Sequence, residues 1–169
     1  SIYAADANEF ASLAEKMQRF GASAVELNVS CPHAKHYGLE VGSDPALLHE
    51  IVSFVKHHVS IPVFVKVSPN IMNLVEIAQT IENAGADAIV AINTVKAMKI
   101  DLETTRPLLA NKTGGYSGKA IKPIGVRCVY DIAQAVKIPL IGVGGITTGE
   151  DAIEYFMAGA SAVQIGSAV

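Results

Sequence analysis

Short, mostly apolar runs alternate along this chain with longer segments whose apolar residues recur every third or fourth position. The runs cover residues 24–29, 61–67, 87–92, 139–143 and 162–165. Apolar runs this short, closed by turn residues, predict buried strands of a parallel sheet. Between them, Phe10, Leu13, Ala14, Met17 and Phe20 fall on one helical face. Leu47, Leu48, Ile51, Val52 and Val55 mark a second helix, and Leu74, Ile77, Ala78 and Ile81 a third. Cys128, Val129, Ile132 and Val136 mark a fourth, which puts Cys128 in the core, and a short helix over residues 150–158 precedes the last run. Start signals agree with these spacings. Asp6-Ala7-Asn8-Glu9 resembles a capping box with Asp in place of Ser or Thr, and Asp44-Pro45 and Pro123 open the second and fourth helices.

The chain also repeats itself. Gly21-Ala22-Ser23-Ala24-Val25, Gly85-Ala86-Asp87-Ala88-Ile89 and Gly159-Ala160-Ser161-Ala162-Val163 are one pattern: helix stop, tight turn, strand. Ile61-Pro62-Val63 and Ile138-Pro139-Leu140 are a second, strand-entry pattern. Strict strand–helix alternation predicts βα units and a parallel sheet. Glycine pairs or Gly-Ser close the last two strands, and barrels of the (β/α)8 type often bind phosphate in the loops after their seventh and eighth strands. Counted back from there, the strands are the fourth to eighth of a TIM barrel. A whole barrel takes about 250 residues. Residues 1–169 therefore read as a single domain, the C-terminal two-thirds of an α/β barrel holding its last five βα units. One connection, residues 94–122, is long and carries Gly114-Gly115-Tyr116-Ser117-Gly118; loops of that length are usually functional or disordered.

Composition narrows the class. Half the residues are hydrophobic and 17% charged, as in a well-packed soluble domain. A net charge of −3 with scattered lysines suggests neither nucleic acid nor an anionic membrane as partner. No apolar run reaches the roughly 18 residues a transmembrane helix needs, and the start at Ser1 has no basic, signal-like region. It also lacks an initiator Met, as in a processed chain or a piece of a longer one. Two cysteines, Cys31 and Cys128, make no disulfide framework and no zinc-spaced cluster, so a reducing, cytoplasmic setting is expected and no metal.

The candidate chemistry gathers at the strands' carboxyl ends, where α/β proteins build sites. Asn28, Ser30, Cys31 and His33 lie at and just beyond the end of the first strand, Lys66 closes the second, and Asn93-Thr94 the third. Gly144-Gly145 and Gly166-Ser167 follow the fourth and fifth. The plainer alternatives are a buried structural cysteine and glycines that only make tight turns. Glycine there also lets backbone N–H groups approach a phosphate. Lys66 is the sharpest anomaly, because a cation closing an apolar strand costs free energy unless an anion compensates it. A bound flavin, anionic near N1 and O2 when reduced, would supply that partner.

Six ordered motifs carry a family resemblance across the whole chain: residues 28–33 (NVSCPH), 65–70 (VKVSPN), 92–95 (INTV), 114–123 (GGYSGKAIKP), 143–146 (VGGI) and 164–167 (QIGS). Together they resemble dihydroorotate dehydrogenases, and most closely the class 1, NAD-linked type. The resemblance implies an FMN enzyme that oxidises dihydroorotate to orotate in pyrimidine biosynthesis. By position, Cys31 matches the catalytic base, which takes a proton from C5 while C6 passes hydride to flavin N5. Asn28, Asn93 and Thr94 match residues that bind the pyrimidine ring, Asn28 lying also near the flavin. Lys66 matches the lysine at the flavin N1–O2 edge. Ile92, Gly118, Gly144, Gly145, Gly166 and Ser167 match backbone contacts to FMN. The resemblance further implies a homodimer with an electron-transfer subunit carrying FAD and an iron–sulfur cluster, and NAD as final acceptor.

Two alternatives stand beside this reading. His33 replaces an Asn common in the family, and Pro32-His33 also resembles the flavin domain of dihydropyrimidine dehydrogenases, which reduce uracil or thymine. A flavin- or phosphate-binding barrel without turnover is the other, against which Cys31, Asn93 and Lys66 speak together.

Overall fold

The computed structural model describes residues 1–29 and 41–166. The first helix, α1 (Ala7–Arg19), is capped by Asp6, whose side chain accepts from the Glu9 N–H over 2.9 Å. Glu9 returns its carboxylate to the Ala5 N–H, one residue earlier than a capping box places it. Phe10, Ala11 and Ala14 are buried, whereas Phe20, at the C-cap, is 84% exposed. The apolar stripe thus ends before the last position its spacing predicts, because Gly21, at φ +87°, turns the chain into the next strand.

The strands and helices follow in the predicted alternation. They are β1 (Val25–Asn28), α2 (Pro45–His58), β2 (Val63–Val67), α3 (Leu74–Asn83) and β3 (Ala88–Ala91). An excursion then carries β4 (Val95–Ala97), β5 (Ile100–Asp101), β6 (Arg106–Pro107) and β7 (Gly114–Tyr116). The chain rejoins the alternation with α4 (Lys122–Ala133), β8 (Leu140–Val143), α5 (Gly149–Met157) and β9 (Ala162–Gln164). The three repeated Gly-Ala turns share one geometry: Gly21, Gly85 and Gly159 all have φ between +87° and +112°.

The main sheet has five strands in the order β1-β2-β3-β8-β9, and all four pairings are parallel. Each strand lies beside its predecessor in the chain, as in a barrel; a doubly wound sheet would reverse direction part-way. The face toward the helices carries the core. Val25, Leu27, Val63, Val65 and Val67 pack there with Leu48, Ile51, Val52, Ile77 and Ile81, and Cys128 joins them, fully buried as expected. The opposite face carries the alternate residues. Glu26 pairs in register with Phe64 and Asn28 with Lys66. The sheet curls so far that Gln164 of β9 donates to Glu26 of β1 over 2.9 Å. Interior layers of a (β/α)8 barrel are shared by alternate strands, and such a contact fits that pattern.

Two features go beyond the sequence reading. The connection after β3 contains ordered antiparallel pairs, β4 with β7 and β5 with β6. Strands of two or three residues are too short to leave a period-two signal in the sequence. The outer edge of β1, which a five-strand count leaves unpaired, is bridged: Ile2 donates to the Glu26 carbonyl and accepts from the Asn28 N–H, each over 2.8 Å.

Candidate active site

Asn28 ends β1 and Asn93 lies two residues beyond β3, so the sheet brings their side chains to one level although 65 residues separate them. The Asn93 Nδ2 donates to Asn28 Oδ1 over 3.1 Å, while Asn93 Oδ1 accepts from the Thr94 N–H over 2.8 Å. The Asn93 N–H is held by the Val67 carbonyl. Asn70, in the turn after β2, braces this end from the side: it donates to the Thr94 carbonyl over 3.0 Å and accepts from the Lys96 N–H over 2.9 Å. Nothing in its local sequence separates Asn70 from an ordinary turn residue; only the fold puts it against Thr94.

Lys66 has an anionic partner within the chain. Its Nζ lies 3.8 Å from Glu26 Oε1, both side chains being largely buried. The anion that this lysine calls for is thus supplied at least in part by the chain itself. Glu26 occupies an alternate position in an apolar strand, which places it on the same face as Lys66, and that periodicity was the signal available for it.

Behind Gly144 and Gly145 stands a buried support. Tyr155, fully buried on α5, donates its hydroxyl to the Gly144 carbonyl over 2.8 Å. Burial pushes its ionisation up to about 12, so it stays a donor throughout the physiological range. Two glycines make room for the ring: a Cβ at Gly142 would strike Tyr155 Cδ1, and one at Gly125 would strike the hydroxyl. Gly145 has φ +70°, and a Cβ there would sit 2.8 Å from the Gly118 carbonyl oxygen and 2.9 Å from the Lys122 nitrogen. Only glycine lets these two loops meet.

The rest of that loop is held by Asp151. Its Oδ2 accepts from the Thr147 N–H and hydroxyl and from the Thr148 N–H, over 2.8–3.0 Å, and its Oδ1 accepts from Lys122 over 2.7 Å. The Lys122 bond first, then those from Thr147, hold the Asp151 carboxyl well below the usual carboxylate range. Lys122, bonded also to Glu154, is held well above the usual lysine range.

These pieces enclose a cavity of about 340 Å³, within the range of small-molecule sites. Lys66, Gln164, Ile92, Asn93 and Thr94 line it together with Gly118, Gly144, Gly145, Ile146, Thr147 and Gly166, and with Ser117, Ile121 and Val143. At Gly118 and Gly166 an added Cβ would meet nothing within 4 Å, so backbone borders open space there. The lining combines apolar surface, a cation and backbone amides. That suits a flat polar ring carrying a phosphate, and FMN is such a group. Of the residues singled out in the sequence, Lys66, Ile92, Asn93, Thr94, Gly118, Gly144, Gly145 and Gly166 line this one cavity, and Asn28 is bonded to it through Asn93. Cys31, His33 and Ser167 lie outside the described residues. No helix among the described residues is long and apolar enough to cross a membrane.

The sequence profile of the dihydroorotate dehydrogenase family matches residues 1–169, the whole chain. The chain belongs to that family. Among its relatives is the dihydroorotate dehydrogenase B (NAD(+)) catalytic subunit of Thermoplasma acidophilum, 58% identical over 169 residues, which are 100% of this chain and 56% of that protein. The subunits of the same name from Methanocaldococcus jannaschii and Pyrococcus furiosus are 56% and 53% identical, again over the whole chain, and it covers 55% and 56% of them. The chain thus spans little more than half the length of these relatives. A crystal structure of dihydroorotate dehydrogenase from Eimeria tenella in complex with ferulenol superposes with a TM-score of 0.79. It covers 96% of this chain and 48% of its own, at 24% identity, and shows the shared fold. The five-stranded sheet is accordingly an arc of the family's TIM barrel.

Proposed function

We propose that the protein to which this chain belongs oxidises dihydroorotate to orotate with FMN, in the de novo synthesis of pyrimidines. The observation that carries this reading is the single cavity in which Lys66, Asn93 and Thr94 face the glycine loops of residues 118, 144–145 and 166. When bound, FMN supplies at N5 the acceptor for the hydride leaving C6 of the substrate. The backbone at Gly118, Gly144, Gly145 and Gly166, with Ser167 and Ile92, would hold the cofactor, and Lys66 would be the cation for its N1–O2 edge. Asn28, Asn93 and Thr94 hold the pyrimidine, since an amide donates to ring carbonyls and accepts from ring N–H groups with one side chain. Cys31 takes the proton from C5. A free thiol ionises near 8.5, so the rate climbs with pH unless its surroundings lower that value.

The word "subunit" in the relatives' names, and their NAD(+) label, support a partner that passes electrons onward. We assign to it FAD and an iron–sulfur cluster, with NAD as final acceptor, the catalytic chain forming a homodimer in the cytoplasm.

The test uses the full-length catalytic chain. Purified protein should be yellow, release FMN on denaturation, and be bleached anaerobically by dihydroorotate. A protein that binds no FMN refutes the assignment. Bleaching by dihydrouracil in preference to dihydroorotate would move the substrate to the uracil-reducing relatives suggested by Pro32-His33.

A further inference from the structure

Glu26 is a nearly buried carboxylate that the roles above do not use. It lies 3.8 Å from Lys66, accepts from Gln164 over 2.9 Å and accepts from the Ser1 hydroxyl over 2.7 Å. Lys66 and Gln164 are shared by two spaces. One is the main cavity; the other is a recess of about 400 Å³ on the far side, and only that one includes Glu26. The lysine and the glutamine therefore form a partition, with the candidate cofactor space on one side and the carboxylate on the other. Anything Glu26 does to a molecule in the cavity passes through that partition.

We infer that Glu26 is a positioning residue that compensates Lys66 from behind and so holds down the reduction potential of the flavin in the cavity. The inference rests on the FMN reading above. A cation beside the flavin's N1–O2 edge favours the reduced, more negative form. A carboxylate within reach of that cation opposes it, and between two largely buried side chains the opposition is screened less than at the surface. Lys66 and Glu26 together present almost no net charge to the cavity. Either one alone presents a full charge. A purely structural Glu26, tying β1 to β9 through Gln164, would affect stability and leave the potential where it is.

The experiment measures the flavin's midpoint potential in the full-length protein at saturating FMN, by reductive titration against a reference dye. Glu26→Gln keeps the side chain's shape and an acceptor for Gln164 while removing the charge. The reduced-to-oxidised equilibrium should shift about tenfold or more toward reduced flavin, a rise of about 30 mV for a two-electron couple. Lys66→Met should shift it about as far the other way, and the double variant should return to within about threefold of the unaltered protein. An unchanged or lowered potential in Glu26→Gln overturns the inference. If that variant fails to fold, the double variant decides, because removing both partners of a buried pair is tolerated better than removing one. A double variant with the potential of Lys66→Met overturns the inference; one restored toward the original supports it. Unaltered protein without FMN refutes the functional assignment and this inference together, whereas a flavoprotein indifferent to Glu26→Gln refutes this inference alone.

Discussion

The side-chain amide of Asn93, which lines the cavity, donates to the side-chain carbonyl of Asn28 over 3.1 Å, joining the ends of the first and third strands. The two amides are fixed against each other before any substrate arrives. The cost of ordering them is met in folding rather than in binding.

Replacing Asn93 by Ala in the full-length protein should therefore raise KM for dihydroorotate about tenfold, worth about 1.4 kcal/mol. Asn28→Ala should do the same. Because the two are in contact, the double variant should lose less than the product of the single losses. Steady-state kinetics on the three variants checks this, and strictly multiplicative effects would show that the pair does not act as a unit.

Tyr155 supports the glycine loop from the core side. Tyr155→Phe leaves the packing between Gly125 and Gly142 intact but strips the Gly144 carbonyl of its 2.8 Å donor. Leaving a carbonyl without a partner costs about 1–3 kcal/mol when it is buried, and less at this half-buried position. The variant should melt several degrees lower and bind FMN more weakly, as read by a thermal scan and by fluorescence titration. A loss of stability with unchanged FMN affinity would separate the hydroxyl from the site.

Acid should loosen the same loop. Asp151 has a native ionisation held well below its unfolded value, which is about 3.9 for a free aspartate. Its contribution to stability is complete above that value and is lost as pH falls from there toward the native one. Asp151→Asn should therefore melt lower than the unaltered protein at pH 6, and the two should converge progressively below about pH 4. Melting curves against pH read this directly. A gap that stays constant down to pH 2 would mean that the carboxylate's charge is not what holds Thr147 and Thr148.

The alternation of strands and helices was legible because each strand is a short apolar run and each helix keeps a 3.6-residue stripe, with Gly21, Gly85 and Gly159 marking the joins. The strand-end residues were legible because polar groups such as Asn28 and Lys66 are conspicuous against apolar runs. What acts through space was not. Glu26 reads as one polar residue in a strand until Gln164, 138 residues later, closes on it. Tyr155 and Asp151 carry no signal of their own in the sequence; only the fold brings the Tyr155 hydroxyl to the Gly144 carbonyl and Lys122 to Asp151. The excursion of residues 95–116 was missed because its strands are too short to show a period.

The central claim is that this arc of barrel carries the proton-abstracting and flavin-holding parts of a dihydroorotate-oxidising site. Anaerobic stopped-flow mixing of the full-length protein with dihydroorotate, following loss of flavin absorbance, tests it most directly. Cys31→Ala should retain FMN and bleach about 10²-fold or more slowly, while Cys128→Ala, altered only in the core, should bleach at the original rate. Bleaching of the Cys31→Ala protein at the original rate would contradict the account.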